Sequence, residues 1–192
     1  MEPGGPANVW CQGVDALTRL ALQARTGDAR ALGGFVEAGY QEVWRFCASL
    51  SGEKTADDVC QETFARAVKA LPNFRGESSA RTWLLSIARH TSADELRARS
   101  RRRRQGASAA SAQEVTVTDA SGDITVADFI GQLEGDRRAA FVLTQVLGLS
   151  YAEAARVCDC PPGTIRSRVA RARADLLALL QSTEERGRRR HA

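Results

Sequence analysis

The alternation of apolar and polar residues in the first half of the chain predicts helices and no strands. Apolar residues recur three and four positions apart in four successive segments, which is the spacing of one helix face. Thr55 and Asp58 mark the expected start of the third helix, and Pro72 marks its end. The four segments predict a helical bundle over residues 15–104.

The second half shows the same periodicity in shorter segments. Ser150 and Glu153 have the spacing of a capping box, which predicts the start of a short helix. Pro161 and Pro162 suit the first turn of a further helix. Two short helices joined by such a turn form a helix-turn-helix, which we expect within residues 127–182.

The two patterned halves are separated by a segment of different composition. Residues 105–136 contain six acidic residues and no Lys or Arg, and residues 105–126 have little apolar periodicity. Such a segment cannot bury enough apolar surface to offset the entropy of ordering, so we expect a flexible acidic linker over 105–126. The predicted fold class is therefore all-α, with two small helical domains, an N-terminal helical bundle and a C-terminal helix-turn-helix domain. A disordered N-terminus at 1–14 and a basic tail at 183–192 complete the prediction.

The distribution of charge narrows the expected partners. The chain of 192 residues has a formal net charge of +4, yet residues 1–104 hold 16 basic and 12 acidic residues, and residues 137–192 hold 11 and 5. Two basic blocks therefore flank the acidic one, which favours an acidic partner such as nucleic acid. No apolar run reaches the ~20 residues that a membrane-spanning helix needs, so we expect a cytoplasmic protein without direct membrane insertion.

The residue types also argue against catalysis and metal binding. The five cysteines are irregularly spaced and accompanied by only two histidines, so the chain lacks the second ligand pair that a tetrahedral zinc site requires. It also lacks a glycine-rich phosphate loop and a Ser/His/Asp set. We therefore expect no enzymatic activity and no cofactor.

The segment GTIRSRVARAR carries the most informative chemistry. On a helical wheel Ile165, Val169 and Leu176 face the core, while small residues bordered by arginines face outward. This outward face is either a solubilising surface or a DNA-binding surface. No acidic residue lies between Arg166 and Arg173, and the helix is the second of the helix-turn-helix, so both observations favour DNA.

These segments resemble a known family. The stretch LSYAEAARVCDCPPGTIRSRVARARADL resembles the promoter-reading helix-turn-helix of bacterial RNA polymerase sigma factors. The stretch ADDVCQETFARAVKALPNFRGESSARTWLLSIARHTSADELR is similar to the core-binding and promoter-melting region of the same family. Both occur in the family's order, and the short chain resembles the extracytoplasmic function (ECF) group of the sigma-70 family. The resemblance implies three partners, namely the bacterial RNA polymerase core enzyme, promoter DNA and an anti-sigma factor.

The resemblance also implies roles for particular residues. In the N-terminal half it implies core polymerase binding by Asp57, Asp58, Gln61, Glu62 and Phe64. It implies recognition and melting of the minus-ten element by Phe74, Arg75, Ser78, Ser79, Ala80 and His90, with Arg89 and Arg97 on phosphates. In the C-terminal half it implies base contacts in the minus-thirty-five element from Arg166, Ser167 and Arg171, beside Ala170, and phosphate contacts from Thr164, Arg168 and Arg173.

Three alternatives stay open at this point. A stand-alone helix-turn-helix regulator would carry the same arginine-rich helix without binding polymerase. Arg101 to Arg104 either extend a phosphate-binding ridge or form an unstructured basic tail. Asp57 and Asp58 either bind a basic partner or only stabilise the start of their helix, and both can hold at once.

Overall fold

The computed structural model describes residues 15–106 and 125–190. Every regular element in these two ranges is helical, which confirms the predicted all-α class. The expected disordered N-terminus at 1–14, most of the expected linker and the last two residues of the expected tail lie outside the described residues. None of the described helices is long and apolar enough to cross a membrane.

The N-terminal half is a four-helix bundle. Its elements are α1 (Ala16–Ala24), α2 (Ala29–Ser51), α3 (Glu53–Ala70), a 3-10 turn (Leu71–Asn73) and α4 (Ala80–Gly106). Aspartates begin the first two helices because a carboxylate can accept from the free N–H groups of a first turn. Asp15 accepts from the Thr18 N–H at 3.0 Å, and Asp28 accepts from the Arg30 N–H at 2.9 Å.

The start of α3 differs from the prediction by two residues. The helix begins at Glu53 rather than Thr55, because Gly52 has a φ of +88° that ends α2 and lets the next helix begin at once. The Thr55 hydroxyl is therefore already inside the helix, where it donates to the Ser51 carbonyl at 2.9 Å. The predicted end is confirmed, since Pro72 lies in the 3-10 turn after the last residue of α3.

The C-terminal half contains the predicted helix-turn-helix. Its elements are α5 (Val126–Gln132), α6 (Gly135–Phe141), a π-helical segment (Val142–Val146), α7 (Tyr151–Cys158) and α8 (Pro162–Arg190). Ser150 and Glu153 form the expected capping box at the start of α7. Asp159 ends α7 with a left-handed φ of 49°, and Pro162 opens α8 as expected. The helix α8 continues without a break into the segment expected to be a basic tail.

Close helix packing organises the core of the bundle. Phe35 and Phe46 of α2 and Leu84 and Leu85 of α4 are almost completely buried. At Gly39 of α2 a Cβ atom would lie 2.9 Å from Leu84 Cδ2, so the glycine lets α2 and α4 approach each other closely.

The bundle and the helix-turn-helix also pack against each other. Helix α7 lies against α4, and α2 contacts α5, α6 and the π-helical segment. The buried apolar cluster therefore runs continuously from one half to the other, from Phe35 through Leu85 to Val157 and Ile165. No sequence pattern indicated this contact, because both halves have helical periodicity that would suit an independent core.

Candidate nucleic-acid interface

The outward face of α8 has the composition that the helical wheel predicted. Ile165 and Val169 are buried, whereas Arg166, Ala170 and Arg171 are exposed. Among the described residues, none forms an ion pair with Arg166 or Arg171. Their guanidinium groups are therefore available to an external acceptor, and the small Ala170 between them permits close approach of a groove.

Ser167 and Thr164 lie on the first turns of the same helix. Ser167 is exposed, and its hydroxyl donates to the Thr164 carbonyl at 2.9 Å. Thr164 is half-buried. Both side chains are therefore close to the turn that leads into α8, where the Thr164 N–H donates to the Pro161 carbonyl at 2.9 Å.

Arg168 and Arg173 differ from the other arginines of α8 because each already has a partner in the protein. Arg173 donates to Gln145 Oε1 at 2.7 Å and remains exposed. Arg168 donates to Asp136 of α6, and its Nη1 lies 3.6 Å from Cys160 Sγ. Only 22% of the Arg168 side chain is exposed, so it contributes less open surface than Arg166 or Arg171.

Asp136 joins two arginines that come from different halves of the chain. Besides Arg168 it accepts from Arg89 of α4, with Arg89 Nη2 3.3 Å from Asp136 Oδ1. The side chains of Arg89 and Arg168 are 23% and 22% exposed. Two residues expected to contact phosphates thus share one carboxylate within the protein.

The loop expected to form the minus-ten pocket is anchored in the bundle core. Phe74 is 4% exposed and packs on Trp83, and the Phe74 carbonyl accepts from Arg25 Nη1 at 2.9 Å. Ala80 is fully buried, and its N–H donates to Thr18 Oγ1 at 2.7 Å. Phe74 and Ala80 therefore lie beneath the loop surface. Burial of the Phe74 ring removes apolar area from water, and the hydrogen bond to Thr18 satisfies the Ala80 N–H at the start of α4.

Other expected pocket residues remain accessible. The Arg75 side chain is 82% exposed, and its Nη1 lies 3.8 Å from Glu77 Oε1. Ser78 and Ser79 are half-buried, and Ser79 Oγ accepts from the Thr82 N–H at 3.2 Å in the first turn of α4. His90 is exposed, with Nδ1 2.8 Å from the Ser86 carbonyl oxygen. Of the residues expected in the pocket, Arg75 and His90 are therefore exposed and the two serines are half-buried.

The C-terminal part of α4 carries a row of exposed arginines. Arg97 and Arg99 are exposed, and Arg97 Nη1 lies 3.6 Å from Asp94. Arg101 to Arg104 are helical and exposed, which favours the ridge over the unstructured tail. Arg102 donates to Glu95 at 2.6 Å, so one charge of the ridge is partly balanced within the helix.

An acidic surface lies on α3, on the far side of that helix from the core. Asp57, Asp58, Gln61 and Glu62 are all exposed, as the expected polymerase-binding role requires. Phe64 is only 7% exposed, because it shares the inner face of α3 with Cys60 and Ala67. Its ring is nearly parallel to that of Tyr40 and edge-on to Phe35, so Phe64 supports the acidic surface from below instead of forming part of it.

Trp44 is part of this surface, and sequence reasoning missed it. Its indole Nε1 donates to Asp57 Oδ1 at 2.8 Å. The neighbouring Tyr40 hydroxyl has a pKa above its ordinary value, chiefly through burial and further through electrostatic interaction with Cys60 and Asp57. Tyr40 and Trp44 are four residues apart in α2, and this helical spacing of aromatic residues was the available signal.

The cysteines act as small apolar groups in the described part of the chain. Burial raises the pKa of the Cys47 and Cys158 thiols to about 11 and that of Cys60 to about 12, so all three stay protonated at neutral pH. Within residues 15–106 and 125–190, no three His, Cys, Asp or Glu side chains are grouped so that they could hold a metal ion.

An exposed, arginine-framed helix-turn-helix beside a helical bundle defines a DNA-binding protein of the helix-turn-helix class. Two family models match its halves, Sigma-70 region 2 over residues 35–102 and Sigma-70 region 4 over residues 125–176. The chain therefore belongs to the sigma-70 family of RNA polymerase sigma factors, and it is an ECF-type member.

Similar proteins support this assignment. The chain is 52% identical over 174 residues to the ECF RNA polymerase sigma factor SigC of Mycobacterium tuberculosis, which covers 85% of this chain and 91% of SigC. It is 41% identical over 186 residues to the RNA polymerase sigma-H factor of Pseudomonas aeruginosa, covering 85% of this chain and 93% of that protein.

Solved structures agree with the fold. The structure of CnrH in complex with the cytosolic domain of CnrY matches with a TM-score of 0.68 and 32% identity, covering 88% of this chain and 99% of CnrH. The sigma factor RpoE in complex with the anti-sigma factor NepR from Bartonella quintana matches with a TM-score of 0.64 and 30% identity, covering 76% of this chain and 94% of RpoE.

Proposed function

We propose that this ECF sigma factor binds the core RNA polymerase and directs it to a subset of promoters for transcription initiation. The observation that carries the proposal is the exposed face of α8, where Arg166 and Arg171 flank Ala170 without an ion-pair partner among the described residues. This face belongs to α8, the second helix of the helix-turn-helix, and the second helix is the element that enters the major groove in such domains.

The C-terminal half, residues 127–182, recognises the minus-thirty-five element in this proposal. Arg166, Ser167 and Arg171 contact base edges, because an arginine fork matches the two acceptors of guanine and a serine can pair with several bases. Thr164, Arg168 and Arg173 contact phosphates, which position the helix without reading sequence. A phosphate would compete with Asp136 for Arg168 Nη2.

The N-terminal half, residues 15–104, recognises and melts the minus-ten element. Arg75 and His90 are exposed near the loop, and Ser78 and Ser79 lie at its base. A base that leaves its stack needs a pocket with polar and stacking partners. Phe74 and Ala80 shape that pocket from beneath, while Arg89 and Arg97 contact phosphates.

Core polymerase binds the acidic surface of α3 in this proposal. Asp57, Asp58, Gln61 and Glu62 present carboxylates and an amide on one face, which suits a basic helical partner. Because α3 begins at Glu53, Asp57 and Asp58 lie beyond its first turn, where the helix dipole contributes little, so the structure favours partner binding over helix stabilisation for these two residues.

The remaining functional assignments follow from the family. The solved relatives CnrH and RpoE are each bound to a second protein, and the protein bound to RpoE is an anti-sigma factor. We propose that this chain likewise has an anti-sigma partner and acts in the cytoplasm. Sigma factors are initiation factors, and we propose that polymerisation is carried out by the core enzyme alone, without a cofactor on this chain.

Reconstitution with core polymerase tests the proposal against a stand-alone regulator. The purified chain should co-elute with core polymerase, and the holoenzyme should transcribe a promoter library from a limited set of start sites. A regulator that only binds operator DNA would bind duplexes but would not associate with core. If the chain binds specific duplex DNA yet never co-elutes with core or supports initiation, the proposal is wrong.

A further inference from the structure

Helix α1 lies outside the part of the chain that matches a family model. It spans Ala16–Ala24, whereas the Sigma-70 region 2 model matches residues 35–102. Thr18, Leu22 and the C-cap residue Arg25 are four and three positions apart, so they share one face of this helix. All three contact the segment 74–80, which contains the pocket loop, defined here as residues 74–79 between the 3-10 turn and α4.

Arg25 holds the start of the pocket loop. Its Nη1 donates to the Phe74 carbonyl at 2.9 Å, across 49 positions of sequence. Phe74 directly follows the 3-10 turn, and its ring packs on Trp83 of α4. The backbone and the ring of Phe74 are therefore fixed by two different helices, α1 and α4.

Thr18 fixes the point where the pocket loop ends and α4 begins. The Ala80 N–H donates to Thr18 Oγ1 at 2.7 Å, and the Thr18 hydroxyl donates in turn to Asp15 Oδ2 at 2.7 Å. Thr18 is only 5% exposed. Because an N–H group in the first turn of a helix has no acceptor within that helix, Thr18 supplies the acceptor that Ala80 needs.

Leu22 lies against the middle of the pocket loop. Gly76 has a left-handed φ of +72°, and a Cβ atom there would lie 3.5 Å from Leu22 Cδ2. The glycine lets the loop turn at this point while its backbone stays in contact with an apolar side chain of α1. Helix α1 therefore contacts the loop at its start, in its middle and at its end.

This anchoring matters for base capture because order has an entropic cost. A loop that becomes ordered only when a base enters loses binding free energy to that ordering, whereas a loop that is held beforehand does not. Arg75, Ser78 and Ser79 of the proposed pocket lie between the anchored positions. Their side chains are therefore presented by a backbone that α1 already holds in place.

We infer that α1 is a positioning element for the minus-ten pocket, in which Thr18, Leu22 and Arg25 hold the pocket loop in the conformation that receives a flipped base. This inference rests on the proposed function, because it concerns the loop of the proposed pocket. Thr18 is buried, so it acts only through the loop. Arg25 is exposed, so a phosphate contact of its own is the rival role for that residue.

Two variants remove the polar contacts with little change in size. Thr18→Val keeps the shape of the side chain but removes the acceptor, and Arg25→Met keeps an unbranched side chain but removes the donor. Arg19→Met is the matched control, because Arg19 is an exposed arginine of the same helix. Thr18→Ser retains the hydroxyl and should behave like the unmodified chain.

Hydrogen exchange in the free full-length chain measures the loop directly. Peptides that cover residues 74–80 should exchange about three- to tenfold faster in Thr18→Val and Arg25→Met, because local opening then breaks one hydrogen bond fewer. Arg19→Met and Thr18→Ser should match the unmodified chain. Peptides from the core of α2 should change less, since they open only with the whole bundle. Equal acceleration in loop and core would overturn the inference, because α1 would then only stabilise the fold.

Holoenzyme reconstituted with core polymerase measures the consequence for promoter opening. On a promoter selected from a random library with the unmodified holoenzyme, permanganate reactivity of unpaired thymines should fall about three- to tenfold in Thr18→Val and Arg25→Met. The affinity of the closed complex and its salt dependence should stay unchanged, because neither side chain contacts phosphate. A slope of log affinity against log salt concentration that falls by about one in Arg25→Met would make Arg25 a phosphate contact and overturn its positioning role.

The inference is overturned if the folded variants keep either the loop exchange rates or the promoter opening of the unmodified chain. Circular dichroism shows whether each variant is folded. If Thr18→Val does not fold, Arg25→Met tests the same loop from the exposed end of α1. Failure of the unmodified chain to form a holoenzyme would instead overturn the proposed function and leave the exchange comparison unaffected.

Discussion

The rings of Phe74 and Trp83 pack with their centroids 4.9 Å apart and an interplanar angle of 41°. Phe74 is 4% exposed, although it sits in the loop whose resemblance implied a base-capturing role. The ring therefore holds the loop to the bundle, and Arg75 and His90 are the exposed residues of the proposed pocket.

Phe74→Ala should lower the stability of the bundle. Removing a buried aromatic ring leaves a cavity beside Trp83, so we expect the free energy of unfolding to fall by about 3 to 5 kcal/mol. Chemical denaturation of the chain measures this change. Arg75→Ala is the matched control, because Arg75 is exposed and should alter stability by less than about 0.5 kcal/mol while reducing promoter opening. Equal stability of the two variants would show that Phe74 is not part of the core.

Arg171→Ala should reduce transcription in a sequence-dependent manner. An arginine that pairs with guanine contributes about 1 to 3 kcal/mol of discrimination, so initiation at the preferred promoter should fall about 5- to 150-fold with unchanged core binding. Arg173→Ala is the comparison. It should weaken binding to all promoters similarly and reduce the slope of log affinity against log salt concentration by about one. A uniform loss in Arg171→Ala would make Arg171 a phosphate contact.

Trp44→Phe should weaken core binding through Asp57. The substitution keeps an aromatic ring but removes the donor to Asp57 Oδ1, and one lost hydrogen bond corresponds to about a two- to tenfold loss of affinity. Titration of labelled core polymerase measures the effect. In a double-mutant cycle, Trp44→Phe should have little further effect in an Asp57→Ala background. Additive losses would mean that Trp44 contacts polymerase independently.

The capping box of α7 should make the helix-turn-helix sensitive to acid. Hydrogen bonds from the Ser150 hydroxyl and N–H lower the pKa of Glu153 below its ordinary 4.5. Because the folded pKa is the lower one, the stabilisation is full above the ordinary pKa and is lost as the pH falls through the folded pKa. Ser150→Ala should cost about 1 kcal/mol at pH 7.

Unfolding measurements between pH 7 and pH 3 test this linkage. The unmodified chain should be more stable than Glu153→Gln at pH 7, and the difference should shrink toward pH 3 because Glu153 becomes protonated. Asp159→Asn serves as a comparison, since it changes a carboxylate at the C-cap of the same helix without touching the capping box. A difference between the unmodified chain and Glu153→Gln that stays constant with pH would contradict the prediction.

Local features were predictable because they depend on neighbours in the chain. The buried Ile165 and Val169 and the exposed Arg171 follow from a 3.6-residue period alone. The capping box at Ser150 follows from a three-residue spacing. The predicted start of α3 was wrong by two residues, because no residue spacing in the sequence indicates that Gly52 adopts a φ of +88°.

The sequence by itself therefore determined the helices, the family and the arginine face of α8. Only the tertiary structure decided that Phe74 is buried, and that Arg89 and Arg168 meet at Asp136. Arg89 precedes Asp136 by 47 positions, and Arg168 follows it by 32. Helical periodicity acts over three or four residues, whereas contacts across such separations depend on how whole helices pack.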